Sequence, residues 1–242
     1  MQPEEAFPRL LALGFPDDDA HALADHFLDA ERRGKRSHGL ARIEWLETQA
    51  FDTRSQPRRV VTEPAFERWE SDGVGYLALH AIVEAQLAAP PERARLVVAR
   101  CFPTGALGYW VRRLAEGGLV ALLTTTSPPR LAHPDGGPRL AGTNPLAIAI
   151  PSSDGRPIVA DVSPAKATWG DVIAGLAREE DVVPFGGDQA HKAFALALAL
   201  QLLVDSFVED AYGAFLLVAR PEADPVPALR VLADGVRLPG DR

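Results

Sequence analysis

Short apolar strands alternate with helical segments in the middle of the chain, and this alternation constrains the fold most. Arg58 to Thr62 is predicted as a strand, Gly75 to Ala88 as a helix and Arg95 to Ala99 as a strand bounded by charge. A helix from Gly105 to Glu116 and a strand from Leu119 to Thr125 repeat the pattern. Such alternation indicates an α/β body in which helices are layered on a sheet.

The segment before this body is helical. Apolar residues recur at helical spacing after Asp17, and Gly34 is expected to end that helix. Ser37 is predicted to cap a further helix, which places His38 in its first turn.

The second half of the chain continues the α/β pattern. Strands are predicted at Leu146 to Ile150, Pro157 to Val162 and Phe215 to Val218, with a strongly apolar helix before the last strand. We therefore predict a helical region at 1–56 and an α/β body at 57–220. The remaining tail, at 221–242, is expected to pack back on the helical region.

Composition and charge limit the partners. A chain of 242 residues with 47% hydrophobic content can bury a sizeable core. Its net charge of -8 argues against nucleic acid or an anionic membrane surface as the main partner. The longest apolar run is too short to span a bilayer, the single cysteine fits a reducing compartment, and no metal-ligand spacing is present. We expect a cytoplasmic protein with no metal site and no membrane or nucleic-acid partner.

The most suggestive ionisable pair is His38 with Arg42. Residues four apart on a helix share a face, so the two side chains are expected to be neighbours. An imidazole in the first turn feels the positive end of the helix dipole, which favours its neutral form. An arginine beside it can hold a carboxylate through two parallel hydrogen bonds. The pair is typical of a base next to an acid-binding residue, although two solvated surface side chains give the same local pattern.

Two later segments carry polar groups suited to a ligand. Asp161 and Ser163 lie at the end of a predicted strand, where α/β sheets place ligands, and a simple turn-forming pair is an equal interpretation. Gly186-Gly187 precedes the apolar helix, so backbone N–H groups there, with His191 and Lys192, are suited to a phosphate or pyrophosphate. The glycine fingerprints of Rossmann domains and P-loops are absent from the sequence.

Six motifs follow one another along the chain: Ser37-His38-Gly39 with Arg42, Gly105-Ala106-Leu107-Gly108-Tyr109, Gly142-Thr143-Asn144-Pro145, Asp161 with Trp169-Gly170, Pro184-Phe185-Gly186-Gly187 with His191-Lys192, and Leu238-Pro239-Gly240. In this order they resemble the type-2 malate/L-lactate dehydrogenase family, here in a shortened form. That family includes ureidoglycolate and sulfolactate dehydrogenases and the piperideine- and pyrroline-2-carboxylate reductases.

The resemblance implies an NAD(P)-dependent oxidoreductase that is usually a homodimer. It implies an α/β, non-Rossmann nicotinamide-binding fold with a mixed sheet, packed with the helical N-terminal region. Hydride would pass between NADH or NADPH and the α-carbon of a small carboxylate substrate. That substrate is a 2-oxo or 2-hydroxy acid for a dehydrogenase, or a cyclic 2-imino acid for an imine reductase.

The resemblance also assigns roles to particular residues. His38 becomes the proton donor or acceptor, Ser37 its neighbour, and Arg42 the residue that holds the substrate carboxylate. Asp161 is expected to serve both catalysis and cofactor binding. The other residues expected to contact the cofactor are Ser127, Thr143, Asn144, Val162, Ser163, His191 and Lys192, with Thr143 and Asn144 on the floor of the pocket.

The sequence departs from the family pattern in ways that affect the chemistry. Pro103 and Thr104 stand where the family commonly has histidine and phenylalanine, and the segment between Trp169 and Phe185 is short. A cyclic imine needs only one proton, so a single histidine favours imine reduction as a hypothesis. A catalytically silent binding or interaction protein is the main alternative, and a pocket reused for non-redox chemistry is a third interpretation.

Overall fold

The computed structural model describes residues 1–209 and 211–241. Its strands are β1 (Arg58–Glu63), β2 (Phe66–Glu70), β3 (Ala94–Arg100), β4 (Val120–Thr125), β5 (Leu146–Ile150), β6 (Ile158–Val162) and β7 (Gly213–Ala219). They form one sheet in the order β1-β2-β3-β7-β4-β5-β6. Of the described pairings, β2 with β3 is parallel and the others are antiparallel. The predicted non-Rossmann mixed sheet is therefore confirmed, because a doubly wound fold needs a mostly parallel sheet.

Helices pack on this sheet, and three of them precede its first strand at the N-terminus of the chain. They are α1 (Ala6–Ala12), α2 (Asp17–Arg32), α3 (Ala41–Leu46), α4 (Gly75–Ala88), α5 (Leu107–Glu116), α6 (Trp169–Ile173), α7 (Ala190–Asp205) and α8 (Val226–Leu232). Helix α5 packs on β4 and β5, while α7 packs on β4 and β7. No helix within the described residues combines the length and apolar character that crossing a lipid bilayer requires.

One hydrophobic core joins the helical N-terminal region to the sheet. Leu23 and Phe27 of α2 belong to the same buried cluster as Tyr76 of α4 and Leu107 of α5. The amphipathic pattern of α2 explains this placement, since its apolar face is the face that becomes buried. The N-terminal helices therefore form one wall of the α/β body.

The prediction that Ser37 caps a helix is wrong. The structure has a single 3-10 turn at Arg36–His38, and α3 begins only at Ala41. The side chain of Glu31, on α2, accepts the backbone N–H of Leu40 at 3.1 Å, so a distant residue provides the acceptor that Ser37 was expected to supply. His38 consequently lies in the turn before α3 and not in its first helical turn.

Hydrogen bonds within the described residues link the C-terminal tail to the segment that includes β6, and the packing of the tail on the helical region stays a prediction. Arg230 on α8 donates to the carbonyl of Arg156 at 2.9 Å, and Val159 donates its N–H to the carbonyl of Pro239 at 3.0 Å. Arg230 also pairs with Asp241 at 2.9 Å, which ties the tail to itself. These bonds attach the tail to the hairpin formed by β5 and β6.

Candidate active site

A cleft of about 600 Å³ opens where the N-terminal turn meets the ends of β4 and β6. It is lined by residues from segments near 34–38, 102–107, 125–130, 143–145, 161–163 and 168–171, together with part of α3. Among the residues predicted from the sequence, those that line it are Ser37, His38, Arg42, Ser127, Thr143, Asp161 and Ser163. The fold therefore brings the proposed acid/base, the proposed carboxylate-binding residue and part of the proposed cofactor set to one place.

His38 is half-buried at the wall of this cleft. A β-carbon at Gly170 would lie 3.5 Å from Cε1 of His38, so the glycine lets α6 approach the ring closely. Burial, and after it the positive charge of Arg42, lowers the pKa of His38 to about 4. The neutral form predicted from the sequence is the favoured one, but the cause is burial beside a cation and not a helix dipole.

Arg42 is buried and carries an unused hydrogen-bond donor. Its Nε donates to the hydroxyl of Tyr76 at 3.1 Å, and its guanidinium carbon lies 4.5 Å from the centre of the Trp45 ring. Nη1 is buried and has no hydrogen-bond partner among the residues that the structure describes. Because buried donors in native proteins nearly always find an acceptor, this atom suits an oxygen of a bound carboxylate.

Asp161 is anchored at the end of β6 by two donors from different parts of the chain. The backbone N–H of Gly108, at the start of α5, donates to its Oδ2 at 2.9 Å. The ammonium group of Lys35 contacts the same oxygen. Lys35 carries no role predicted from the sequence, and it lies 126 positions from Asp161 along the chain. No local pattern indicates a contact of that range.

Ser37 is linked to Asp171, a second acidic residue of the cleft that the sequence analysis did not identify. Asp171 accepts the backbone N–H of Thr168 at 2.7 Å and its hydroxyl at 2.8 Å. Burial raises the pKa of Asp171, but hydrogen bonds from the Thr168 backbone and the Ser37 hydroxyl outweigh it and leave the pKa below its usual value. Thr168-Trp169-Gly170-Asp171 has the spacing of a helix capping box, which was the available signal.

A buried histidine beneath the cleft was also missed. His26 of α2 stacks on Trp110 at a centroid distance of 4.8 Å, and its Nε2 accepts the backbone N–H of Ala106 at 3.3 Å. Burial, followed by the proximity of His38 and Arg42, keeps the pKa of His26 well below its ordinary value. The ring therefore supports the turn at 105–106 that lines the cleft.

Four of the residues predicted to bind cofactor lie outside this lining. Asn144 is buried, and its amide donates to the carbonyl of Ala197 at 3.1 Å and to the side chain of Gln201 at 2.9 Å. Val162 is 52% exposed, because alternate residues of a strand point to opposite faces. His191 and Lys192 are exposed on the first turn of α7 and do not line this cleft.

The glycines before α7 instead line a second cleft. Gly186 and Gly187 contribute to this cleft, of about 590 Å³, and Arg130 lines both clefts. Pro103 and Thr104 both lie in the lining of the first cleft. They stand where the family that the sequence resembles commonly has histidine and phenylalanine. The hydroxyl of Thr104 is bonded to that of Thr125 at 3.0 Å. The departure in sequence therefore changes the cleft itself and not a remote surface.

Residues 5–182 match the model of the malate/L-lactate dehydrogenase family. This match covers well over half of the chain, so the protein belongs to that family.

Its relatives include several dehydrogenases and reductases. A (2R)-3-sulfolactate dehydrogenase (NADP(+)) of Chromohalobacter salexigens is 34% identical over 175 residues, which are 69% of this chain and 52% of the relative. A delta(1)-pyrroline-2-carboxylate reductase of Pseudomonas fluorescens is 28% identical over 229 residues, which are 81% of this chain and 67% of the relative. The chain spans about half the length of the curated relatives it matches first, with 52% of the sulfolactate dehydrogenase and 44% of a malate dehydrogenase of Pyrococcus horikoshii.

Solved structures share the fold over almost the whole chain. A crystal structure of delta1-piperideine-2-carboxylate reductase from Pseudomonas syringae matches with a TM-score of 0.81 at 24% identity. The match covers 99% of this chain and 89% of that structure. At this identity the likeness defines the fold, which is that of the family's dehydrogenases and reductases.

Proposed function

We propose that the protein is a nicotinamide-dependent oxidoreductase of small 2-oxo or 2-hydroxy acids or of cyclic 2-imino acids. One observation carries the proposal: neutral, half-buried His38 lies beside Arg42, whose Nη1 is buried without an acceptor among the described residues. A carboxylate on that arginine would hold a substrate next to a proton-exchanging imidazole. The names of the relatives, which specify sulfolactate and pyrroline-2-carboxylate, support substrates with a carboxylate or similar acid group.

The charges of the cleft suggest how His38 would exchange its proton. In the free protein the imidazole is neutral at pH 7, so it can accept the proton of a 2-hydroxy acid. A carboxylate bound to Arg42 would offset the cation that lowers the pKa of His38. Substrate binding would then raise the proton affinity of the ring, which is what proton delivery to a 2-oxo or 2-imino acid requires.

The lining of the cleft fits a nicotinamide cofactor. Ser127, Thr143 and Ser163 supply neutral hydroxyl groups, and Asp161 supplies a fixed carboxylate at the strand end. Nδ1 of His38 and Nη1 of Arg42 have no hydrogen-bond partner among the described residues, so neither atom is committed to another group. When bound, reduced NAD or NADP supplies the hydride. The proposed contact set leaves out the four residues that lie outside this lining, which are Asn144, Val162, His191 and Lys192.

We also propose that the protein works as a homodimer in the cytoplasm. The family resemblance supports the dimer, and the single cysteine, which fits a reducing compartment, supports the cytoplasm. Light scattering coupled to size-exclusion chromatography should give twice the mass of one chain, and a mass of one chain would contradict the dimer.

A substrate panel tests the proposed function. Pyruvate, oxaloacetate and a cyclic 2-imino acid are each assayed with NADH and with NADPH, following consumption of the reduced cofactor. We expect saturable consumption with at least one substrate. Preference for the imino acid would support the single-histidine hypothesis, and preference for the oxo acids would refute it. No consumption, together with no saturable change in cofactor fluorescence, would contradict the proposed function.

A further inference from the structure

A further arginine of the cleft lining, Arg130, has no role in the proposed reaction. The guanidinium carbon of Arg130 lies 3.6 Å from the centre of the Trp169 ring. Trp169 begins α6 and is followed directly by Gly170, the residue that packs against His38. The backbone N–H of Arg130 donates to the carbonyl of Ala141 at 2.7 Å, which fixes the base of the side chain. Arg130 is thus stacked on Trp169, the residue next in sequence to the glycine that packs against His38.

The basic neighbours of Arg130 are paired with acids, whereas Arg130 is not. Arg139 pairs with Glu179 at 2.8 Å, and Lys166 pairs with Asp181 at 3.2 Å. Within residues 1–209 and 211–241, Arg130 has no ion pair and its side chain donates no hydrogen bond. A guanidinium that stacks on an aromatic ring keeps the N–H donors at its edge available. Arg130 therefore presents unused charge and unused donors to the cleft.

The acids of the cleft do not compensate this charge. Asp161 is already in contact with Lys35 and with the backbone of Gly108, and Asp171 is bonded to Thr168 and Ser37. Arg42 repeats the arrangement of Arg130, because it too stacks on a tryptophan and has an unpaired donor. Three arginines line the cleft. Arg36 pairs with Glu31, whereas Arg42 and Arg130 are each held by an aromatic ring and have no anionic partner among the described residues.

We propose that Arg130 is a second anion-binding residue of the cleft, so that ligands bound there carry anionic oxygen groups at two positions, one on Arg42 and one on Arg130. This inference rests on the proposed function. Two sources share the chemistry: the distal acid group of a dicarboxylic or sulfonated substrate, and a phosphate of the dinucleotide. Because Arg130 also lines the second cleft, an extended ligand can reach it from either side.

Hydrogen bonds to charged groups contribute about 1.5–3 kcal/mol, so removal of the arginine should weaken binding of the matching ligand by about 10-fold to 100-fold. Arg130→Met removes the charge and keeps an apolar side chain against Trp169. Arg130→Lys keeps the charge and should recover part of the affinity. Arg93→Met is the matched control, because Arg93 is an exposed arginine paired with Glu222 outside the lining of both clefts.

The experiment is isothermal titration calorimetry on the full chain. NADH and NADPH are titrated first, and pyruvate, with one anionic group, and 2-oxoglutarate, with two, are titrated into the protein saturated with oxidised cofactor. A loss in Arg130→Met confined to 2-oxoglutarate assigns the distal acid group of the substrate. A loss confined to the dinucleotides assigns a cofactor phosphate, and a loss for NADPH alone assigns its additional phosphate.

Affinities of Arg130→Met that stay within about twofold of the wild type for every ligand would overturn the inference. In that case the wild type still binds its ligands, so the proposed function stands. If the wild type binds neither cofactor nor acid, the proposed function fails and the inference fails with it. A thermal melting curve that matches the Arg93→Met control shows that Arg130→Met is folded.

Discussion

His38 gains its chemical character from burial beside a cation. Arg42 and Lys35 lower its pKa, while Asp161 and Asp171 raise it, and desolvation is the largest single effect. His38 is therefore a neutral base at the start of an oxidation. Because charged groups of both signs act on the ring, the loss of one of them should change its proton affinity.

Lys35→Met tests this balance. The substitution leaves Asp161 charged and without its cationic partner, so the pKa of His38 should rise. The oxidation direction needs the neutral imidazole, so the acid limb of kcat/KM should move to higher pH. At a fixed acidic pH, kcat/KM should then fall about tenfold for every pH unit that the limb moves. The measurement is the pH profile of kcat/KM with a 2-hydroxy acid.

Lys166→Met is the matched control for Lys35→Met. Lys166 pairs with Asp181 beside the second cleft, so its loss should leave the profile of the first cleft unchanged. An acid limb of Lys35→Met that coincides with that of the control would contradict the account of His38.

Cleft residues that belong to a local sequence motif could be predicted from the sequence. Cleft residues that only the tertiary fold places near that motif could not. Ser37, His38 and Arg42 stand within one short stretch, so their neighbourhood is a local property. Lys35 lies in the same stretch, but its contact with Asp161 depends on the position of β6. Arg130 likewise becomes meaningful only once α6 places Trp169 beneath it.

At the scale of elements, the predictions succeeded where the apolar pattern was strong. Helix α4 and strand β5 have the predicted bounds because nearly all their residues are apolar. Strand β2 was missed because three of its five residues are charged. One of these, Glu67, is buried and accepts hydrogen bonds from Arg59, Trp69 and Gln86 at 3.0 Å each. A buried ion cluster of this kind has the sequence pattern of a polar loop.

Glycines in the first turns of α4 and α5 allow these helices to approach residues of the cleft closely, and substitution of each glycine by alanine should have a different effect. A β-carbon at Gly75 would lie 2.6 Å from backbone atoms of Phe102 and Pro103, whereas one at Gly108 would lie 2.9 Å from the carboxylate of Asp161. Backbone atoms can shift less than a side chain to make room for an added β-carbon. We therefore expect Gly75→Ala to lower the free energy of unfolding by about 1–3 kcal/mol through overpacking.

Gly108→Ala should cost less stability because Asp161 can shift. It should instead weaken cofactor binding, because the shifted carboxylate loses its bond to the Gly108 N–H. Urea unfolding of both variants, with cofactor titration of Gly108→Ala, measures the contrast. A Gly75→Ala protein as stable as the wild type would contradict this account of how α4 meets the cleft.

For the whole molecule, the sheet order explains why the cleft forms where it does. Strand β7 comes late in the chain but inserts between β3 and β4, and β5 with β6 extends the sheet beyond β4. The end of β6 thereby comes to the N-terminal turn that carries His38, and α5 joins them through Gly108. The alternation of helices and strands in the sequence predicted the α/β layers. It does not specify the order of the strands in the sheet, because pairing between strands distant in sequence produces little local sequence pattern.

The most direct test of the central claim is a single-turnover measurement of deuterium transfer with wild type and His38→Gln. Both hydrogens at nicotinamide C4 of the reduced cofactor are replaced by deuterium, and the substrate is the best acid from the panel. We predict that the wild type delivers deuterium to the α-carbon of the product. His38→Gln should bind both ligands with nearly unchanged affinity while its rate falls about 10²-fold to 10⁴-fold.

His21→Gln is the matched control, since His21 is an exposed histidine of α2 outside the lining of the cleft. It should transfer deuterium at the rate of the wild type. Turnover of His38→Gln at the rate of this control, or a wild-type product without deuterium at the α-carbon, would contradict the account.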